Sequence, residues 1–161
     1  MFMGIYVTRD ATGMYLTQSR YIENMSEKPA ILNTKPCSTP ATVGKPLIVL
    51  GGEPMKNQKL YMSVIGSLQY VTHTKPNLAF VINRLSQFLQ SPTMTHWNAV
   101  KRVLRYLKGT KDMGLHIKHS DELNLSSYLD ANWACSPNDR KSIAGYCVYL
   151  GDTLVSWSSK K

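Results

Sequence analysis

With 161 residues and 43% hydrophobic content, the chain can bury one ordinary core or parts of two, which argues against disorder. Nineteen Lys and Arg against 10 Asp and Glu give a formal charge of +9, which favours a polyanionic partner, nucleic acid before a membrane surface. No apolar run is long enough for a membrane span, and the opening MFMGIYVTRD lacks the pattern of a secretory leader; three cysteines without a C-x-x-C pair indicate neither a disulfide framework nor a zinc ribbon. The expectation is an intracellular chain, in cytoplasm or nucleus, with reduced thiols and no membrane partner.

Apolar and polar residues alternate on both sides of Asp10-Ala11-Thr12-Gly13, which predicts two strands joined by a short turn in which Gly13 can supply a positive φ. A short helix can start at Ser19. Pro29, Pro36, Pro40, Pro46, Gly51, Gly52 and Pro54 then interrupt the chain so often that residues 33–57 read as an extended connector.

From Gln58 the period changes. Leu60, Val64, Ile65, Leu68 and Val71 recur at three and four residues, as on the buried face of a helix, until His73-Thr74-Lys75-Pro76 ends it. Pro76 suits a first helical turn, and Leu78, Val81, Ile82, Leu85 and Leu89 mark a second helix. Thr93 or Thr95 can cap a third, in which Trp97, Val100, Val103, Leu104 and Leu107 share a face; Gly109 stops it. Strands are predicted at 115–118, 123–134, 143–150 and 154–157, with Gly151-Asp152 as the turn between the last two. The fold class is α+β: an N-terminal β-hairpin, three helices, then an antiparallel meander.

Several residues invite a chemical reading. Lys101, Arg102, Arg105, Lys108 and Lys111 lie off the apolar face of the third helix and beyond it, where they can neutralise phosphates; a solvated helix face is the alternative. In the strand at 123–134, Leu123, Leu125, Leu129, Ala131 and Trp133 point one way and Asn124, Ser126, Tyr128, Asp130 and Asn132 the other. Asp130 is therefore on the polar face, and taken alone it reads as a solvated residue. His116 and His119 have no third ligand in view, Trp97, Trp133 and Trp157 read as core residues, and Cys147 reads as packed. A nucleophilic triad, a phosphate-binding G-x-x-x-x-G-K-[ST] loop and a dinucleotide G-x-G-x-x-G pattern are absent.

The segment YLDANWACSPNDRKSIAGYCVYLGDTLVSWSSKK resembles the ribonuclease H start of copia-type retrotransposon polyproteins, which read close to Y-S-D-A-D-W-A-G, R-R-S-T-S-G-Y, F-L-G and I-S-W-S-S-K-K. Upstream, YMSVIGSLQYVTHTKPNLAFVINRLSQFLQSPTMTHWNAVKRVLRYLKGT is similar to the helical region that precedes ribonuclease H there. FMGIYVTRDATGMYLTQSRYI is similar to the end of their reverse transcriptase. The resemblance implies three segments: residues 1–57 as the end of reverse transcriptase, 58–114 as a helical thumb- or connection-like region, and 115–161 as the N-terminal part of a ribonuclease H-like domain with an incomplete meander.

The same resemblance implies that Asp130 is a metal-binding catalytic residue. Ribonuclease H chemistry sets a pair of Mg²⁺ ions against the scissile phosphate, and such closely spaced hard cations need several carboxylates. In the family the others come after the W-S-S-K-K motif, and the polymerase aspartates come before F-M-G. The isolated chain is therefore expected to hold Mg²⁺ poorly and to show neither activity, Asp139 and Asp152 being better read as turn residues. Asn132 stands for the family's second aspartate, Cys135 for its glycine and Leu129 for a small polar residue.

Phe2, Met3 and Gly4 resemble part of the hairpin with which reverse transcriptases hold the primer terminus, where glycine permits close backbone approach. The implied partner is an RNA:DNA hybrid or primer-template, together with the remainder of the Pol polyprotein. The alternative is a non-catalytic nucleic-acid-binding module, either a remnant of the element or one retained by its host. A ribonuclease H sheet without its later elements should also leave an edge, and the apolar face around Leu125, Leu129 and Trp133, poorly covered.

Overall fold

The computed structural model describes residues 4–26, 34–42, 52–121, 123–133 and 141–161. Its centre is a helical core. Helix α1 spans Ser19–Ser26, α2 Gln58–Val71, α3 Ala79–Ser86 and α4 Met94–Gly109, with a 3-10 turn at Pro76–Leu78 leading into α3. The side chain of Asn57 caps α2 by accepting from the N–H of Leu60 at 2.9 Å, satisfying one of the donors that a helix start leaves open.

Thr93, not Thr95, caps α4, and it does so reciprocally with His96: the Thr93 N–H donates to His96 Nδ1 at 3.1 Å, while the Thr93 hydroxyl accepts from the His96 N–H. His96 is fully buried, its ring stacked on Phe88 at 3.8 Å. The apolar stripes expected on α2, α3 and α4 meet here: Ile65, Leu68, Ile82, Leu85, Leu104 and Leu107 are all buried in one cluster, which Ile22 and Met25 of α1 join. Tyr61 is buried among them and its hydroxyl donates to the carbonyl of Leu85 at 2.8 Å, so the one polar atom it brings inside is satisfied.

Two three-stranded antiparallel sheets flank this core. In the first, β1 (Tyr6–Asp10) and β2 (Gly13–Thr17) form the expected hairpin. The Asp10 carboxylate accepts from the Thr12 hydroxyl at 2.6 Å, the Thr12 N–H at 2.7 Å and the Gly13 N–H at 3.2 Å, which closes the turn. These bonds, the hydroxyl's foremost, hold the Asp10 carboxyl below its ordinary pKa.

Strand β3 (Leu115–Lys118) differs from expectation. The sequence reading made it the opening of the later meander; it pairs instead with β2, Leu16 opposite Leu115 and Gly13 opposite Lys118. The missing side chain of Gly13 allows this, because a Cβ at that position would lie 2.2 Å from the carbonyl oxygen of Ile117.

The second sheet has the order β4 (Leu125–Asn132), β5 (Ile143–Leu150) and β6 (Thr153–Lys160), with β5 and β6 joined at Gly151-Asp152 as expected. β6 runs longer than the predicted 154–157 and packs on α3. The Trp157 ring N–H donates to the carbonyl of Thr72 at 3.2 Å, and the two sheets meet where the Lys118 N–H donates to the Thr153 hydroxyl at 3.0 Å. Among the described residues no helix is long and apolar enough to cross a membrane.

Candidate functional site

The register of the second sheet sets what surrounds Asp130. Tyr128 pairs with Cys147 and Cys147 with Trp157; Asp130 pairs with Gly145 and Gly145 with Ser159. Paired residues share a face, so Asp130 stands on the side that turns toward α3 and the 3-10 turn. There a cleft of about 510 Å³ opens, walled by Asn77 and Phe80 on the helical side and by Tyr128, Asp130, Tyr149 and Trp157 on the sheet. Asp130 itself is exposed, and its neighbour across the ladder is a glycine that screens nothing. Tyr128 meets Tyr149 edge-on, with ring centroids 5.9 Å apart.

A pair of Mg²⁺ ions would need more than this. No group of three or more His, Cys, Asp or Glu side chains comes together among the described residues, so those present do not fit the metal pair that the resemblance implies. Asp152 is a turn residue, as read, and pairs with Lys118 at 3.3 Å. Asp139 and Cys135 lie outside the described residues.

The opposite face of β4 is bare. Leu125, Leu129 and Trp133 are 72%, 80% and 90% exposed, which matches the expectation of an uncovered apolar face and overturns the reading of Trp133 as a core residue. Trp97 is buried in the core and Trp157 is half-buried. His116 stacks on Tyr15, with ring centroids 4.0 Å apart and the rings 4° from parallel.

The basic residues of α4 are arranged differently from a free solvated face. Lys101, Arg105 and Lys108 follow one stripe of the helix, with Arg102 beside it, and all four are half-buried. Residues 34–39 lie across them as a strap. Arg102 donates to the Thr39 carbonyl at 3.1 Å and to its hydroxyl at 2.6 Å, Arg105 to the Lys35 carbonyl at 2.7 Å, and Lys108 to the Thr34 carbonyl at 3.3 Å. Lys111 is engaged elsewhere, in an ion pair with Glu23 whose hydrogen bond raises the lysine's pKa. Gly4 has a φ of 71°, the left-handed region that glycine tolerates, and lies near Tyr70; Phe2 and Met3 lie outside the described residues.

With this geometry in place, the comparisons with known proteins decide the family. The chain is 43% identical over 160 residues to the retrovirus-related Pol polyprotein from transposon RE2 of Arabidopsis thaliana, and 41% identical over 160 residues to that from transposon RE1 of the same plant. This chain belongs to the copia-type retrovirus-related Pol polyproteins. Each alignment covers 99% of the chain and 11% of the relative, so the Pol segment spans about a tenth of the length of these relatives. It is also 34% identical to an uncharacterized mitochondrial protein of Arabidopsis thaliana, over 99% of the chain and 66% of that protein. No protein-family model and no solved structure matches it.

One functional group of the Pol segment has no forewarning in its motifs. Lys75, which the sequence places merely at a helix end, is buried at 4% exposure, and its ammonium donates to the carbonyls of Thr110 at 2.5 Å and Met113 at 2.7 Å. It closes the C-terminus of α4, where backbone carbonyls are unpaired and the helix dipole favours a cation. Burial pushes its pKa down to about 8, against the opposing pull of Asp112. The sequence signal, a lysine followed by the proline that opens a new helical turn, is too common to single it out.

Proposed function

We propose that this Pol segment spans the C-terminal part of a reverse transcriptase and the start of a ribonuclease H-like domain, and that it grips an RNA:DNA hybrid. Phosphate contacts come from α4, through Lys101, Arg102, Arg105 and Lys108. In the longer polyprotein Asp130 supplies one carboxylate to a Mg²⁺-dependent hydrolysis of the RNA strand. By itself the segment binds without cleaving, because one carboxylate does not hold a metal pair.

The observation that carries the binding reading is the state of Arg102 and Arg105. Their hydrogen bonds go to neutral oxygens of Lys35 and Thr39, and among the described residues no carboxylate pairs with them, so their charge remains for a phosphate. A suitable test is fluorescence anisotropy of a short labelled RNA:DNA hybrid with the wild type and with the Arg102→Gln/Arg105→Gln double variant, whose folding is checked by circular dichroism. A folded double variant that binds as tightly as the wild type would refute the assignment.

A second reading, a nucleic-acid-binding remnant with no part in catalysis, has in its favour Asn132 where the family carries an aspartate, and Asp130 as the one carboxylate among the described residues of the cleft. It separates from the first in the longer polyprotein. There Asp130→Asn abolishes hydrolysis of the hybrid's RNA strand under the first reading and changes nothing under the second.

A further inference from the structure

We propose that residues 34–39 are a displaceable cover on the basic face of α4, and that a nucleic-acid backbone binds by taking over the arginine donors which the cover now occupies. The inference rests on the nucleic-acid reading above and adds to it a competition within the chain. The strap grips the helix through dipoles: carbonyls of Lys35 and Thr39, and the Thr39 hydroxyl. Residues 34–42, TKPCSTPAT, contain no Asp or Glu, and Lys35 adds a charge of the same sign as the helix. The cover thus orients the guanidinium groups but leaves their charge uncompensated. A phosphate oxygen offers a charge-assisted bond, roughly twice as strong as one to a neutral acceptor, and can receive both arms of a guanidinium.

The seat of the strap is local and small. Cys37, half-buried, donates through its Sγ to the Arg102 carbonyl at 3.4 Å, and Pro36 lies so near the end of α4 that a Cβ on Gly109 would meet Pro36 Cβ at 3.1 Å. Gly109 therefore does more than stop the helix; it leaves the room in which the strap sits. Anything that lifts the strap also uncovers the Cys37 thiol, which makes that thiol a reporter of displacement.

The experiment uses the full chain with Cys135→Ser and Cys147→Ser, so that Cys37 is the one reactive thiol, and follows its labelling by a thiol reagent alongside hybrid anisotropy. Saturation with an RNA:DNA hybrid should raise the labelling rate several-fold. In the same background Thr39→Val, which removes one acceptor of Arg102, should tighten hybrid binding by roughly three- to tenfold, the worth of one net hydrogen bond. Binding with unchanged or slower labelling, or weaker binding by Thr39→Val, overturns the cover and leaves the nucleic-acid reading standing. Absence of hybrid binding at low salt overturns both.

Discussion

The ammonium of Lys75 and the carbonyl of Thr110 stand 2.5 Å apart, so a buried residue from the link between α2 and α3 closes the far end of α4. Below pH 8 this lysine is charged in the folded and the unfolded chain alike, and the cost of burying the charge is present in full. Between about pH 8 and 10.5 the unfolded chain binds more protons than the folded one, so this group's contribution to stability rises with pH. Urea unfolding at pH 7 and pH 10 should show wild type gaining about 2 to 3 kcal/mol relative to Lys75→Met. An unchanged difference would mean that Lys75 is solvated in the folded state.

The helical core sets the stability of the segment. Leu104 is fully buried where α2, α3 and α4 meet, and Leu104→Ala should cost about 2 to 5 kcal/mol in chemical denaturation. Tyr61→Phe keeps the ring and removes the bond to the Leu85 carbonyl, so its cost should be smaller, about 1 kcal/mol.

The uncovered face of β4 should behave as exposed apolar surface. Leu129 is 80% exposed and lies opposite Tyr146, itself exposed. Leu129→Thr is expected to reduce the binding of an apolar fluorescent dye while shifting stability by no more than about 0.5 kcal/mol. A wild-type protein that binds no dye would contradict the exposure.

Asp130→Asn should leave stability within about 0.5 kcal/mol of wild type, because the carboxylate is exposed and faces Gly145 across the ladder. Thermal unfolding checks this. Its use is that any loss of RNA hydrolysis in the longer polyprotein then reports on chemistry and not on folding.

How much of this was legible in the sequence follows from which interactions are local. The helices were, because Leu60, Val64, Leu68 and their counterparts keep a 3.6-residue period and Pro76 and Gly109 punctuate it. The hairpin at Gly151-Asp152 was too. The partner of β3 was not, since the four residues of Leu115–Lys118 carry no mark that prefers β2 to β4; the pairing is decided by close approach at Gly13, about a hundred positions earlier. The strap was invisible for another reason: it acts largely through backbone carbonyls, which every residue possesses, so no motif could announce that Arg102 and Arg105 are already occupied. Asp130 was found by family resemblance alone, alternation having assigned it to a solvated face.

The most direct test of the account is the salt dependence of hybrid binding by the unmodified chain. If the basic residues of α4 neutralise about four phosphates, the logarithm of the association constant should fall with the logarithm of salt with a slope of about −3 to −4 between roughly 50 and 200 mM, and Arg105→Gln should make that slope shallower by about one. A flat dependence, or the same slope with and without Arg105, would contradict the assignment of α4 as the surface that holds nucleic acid.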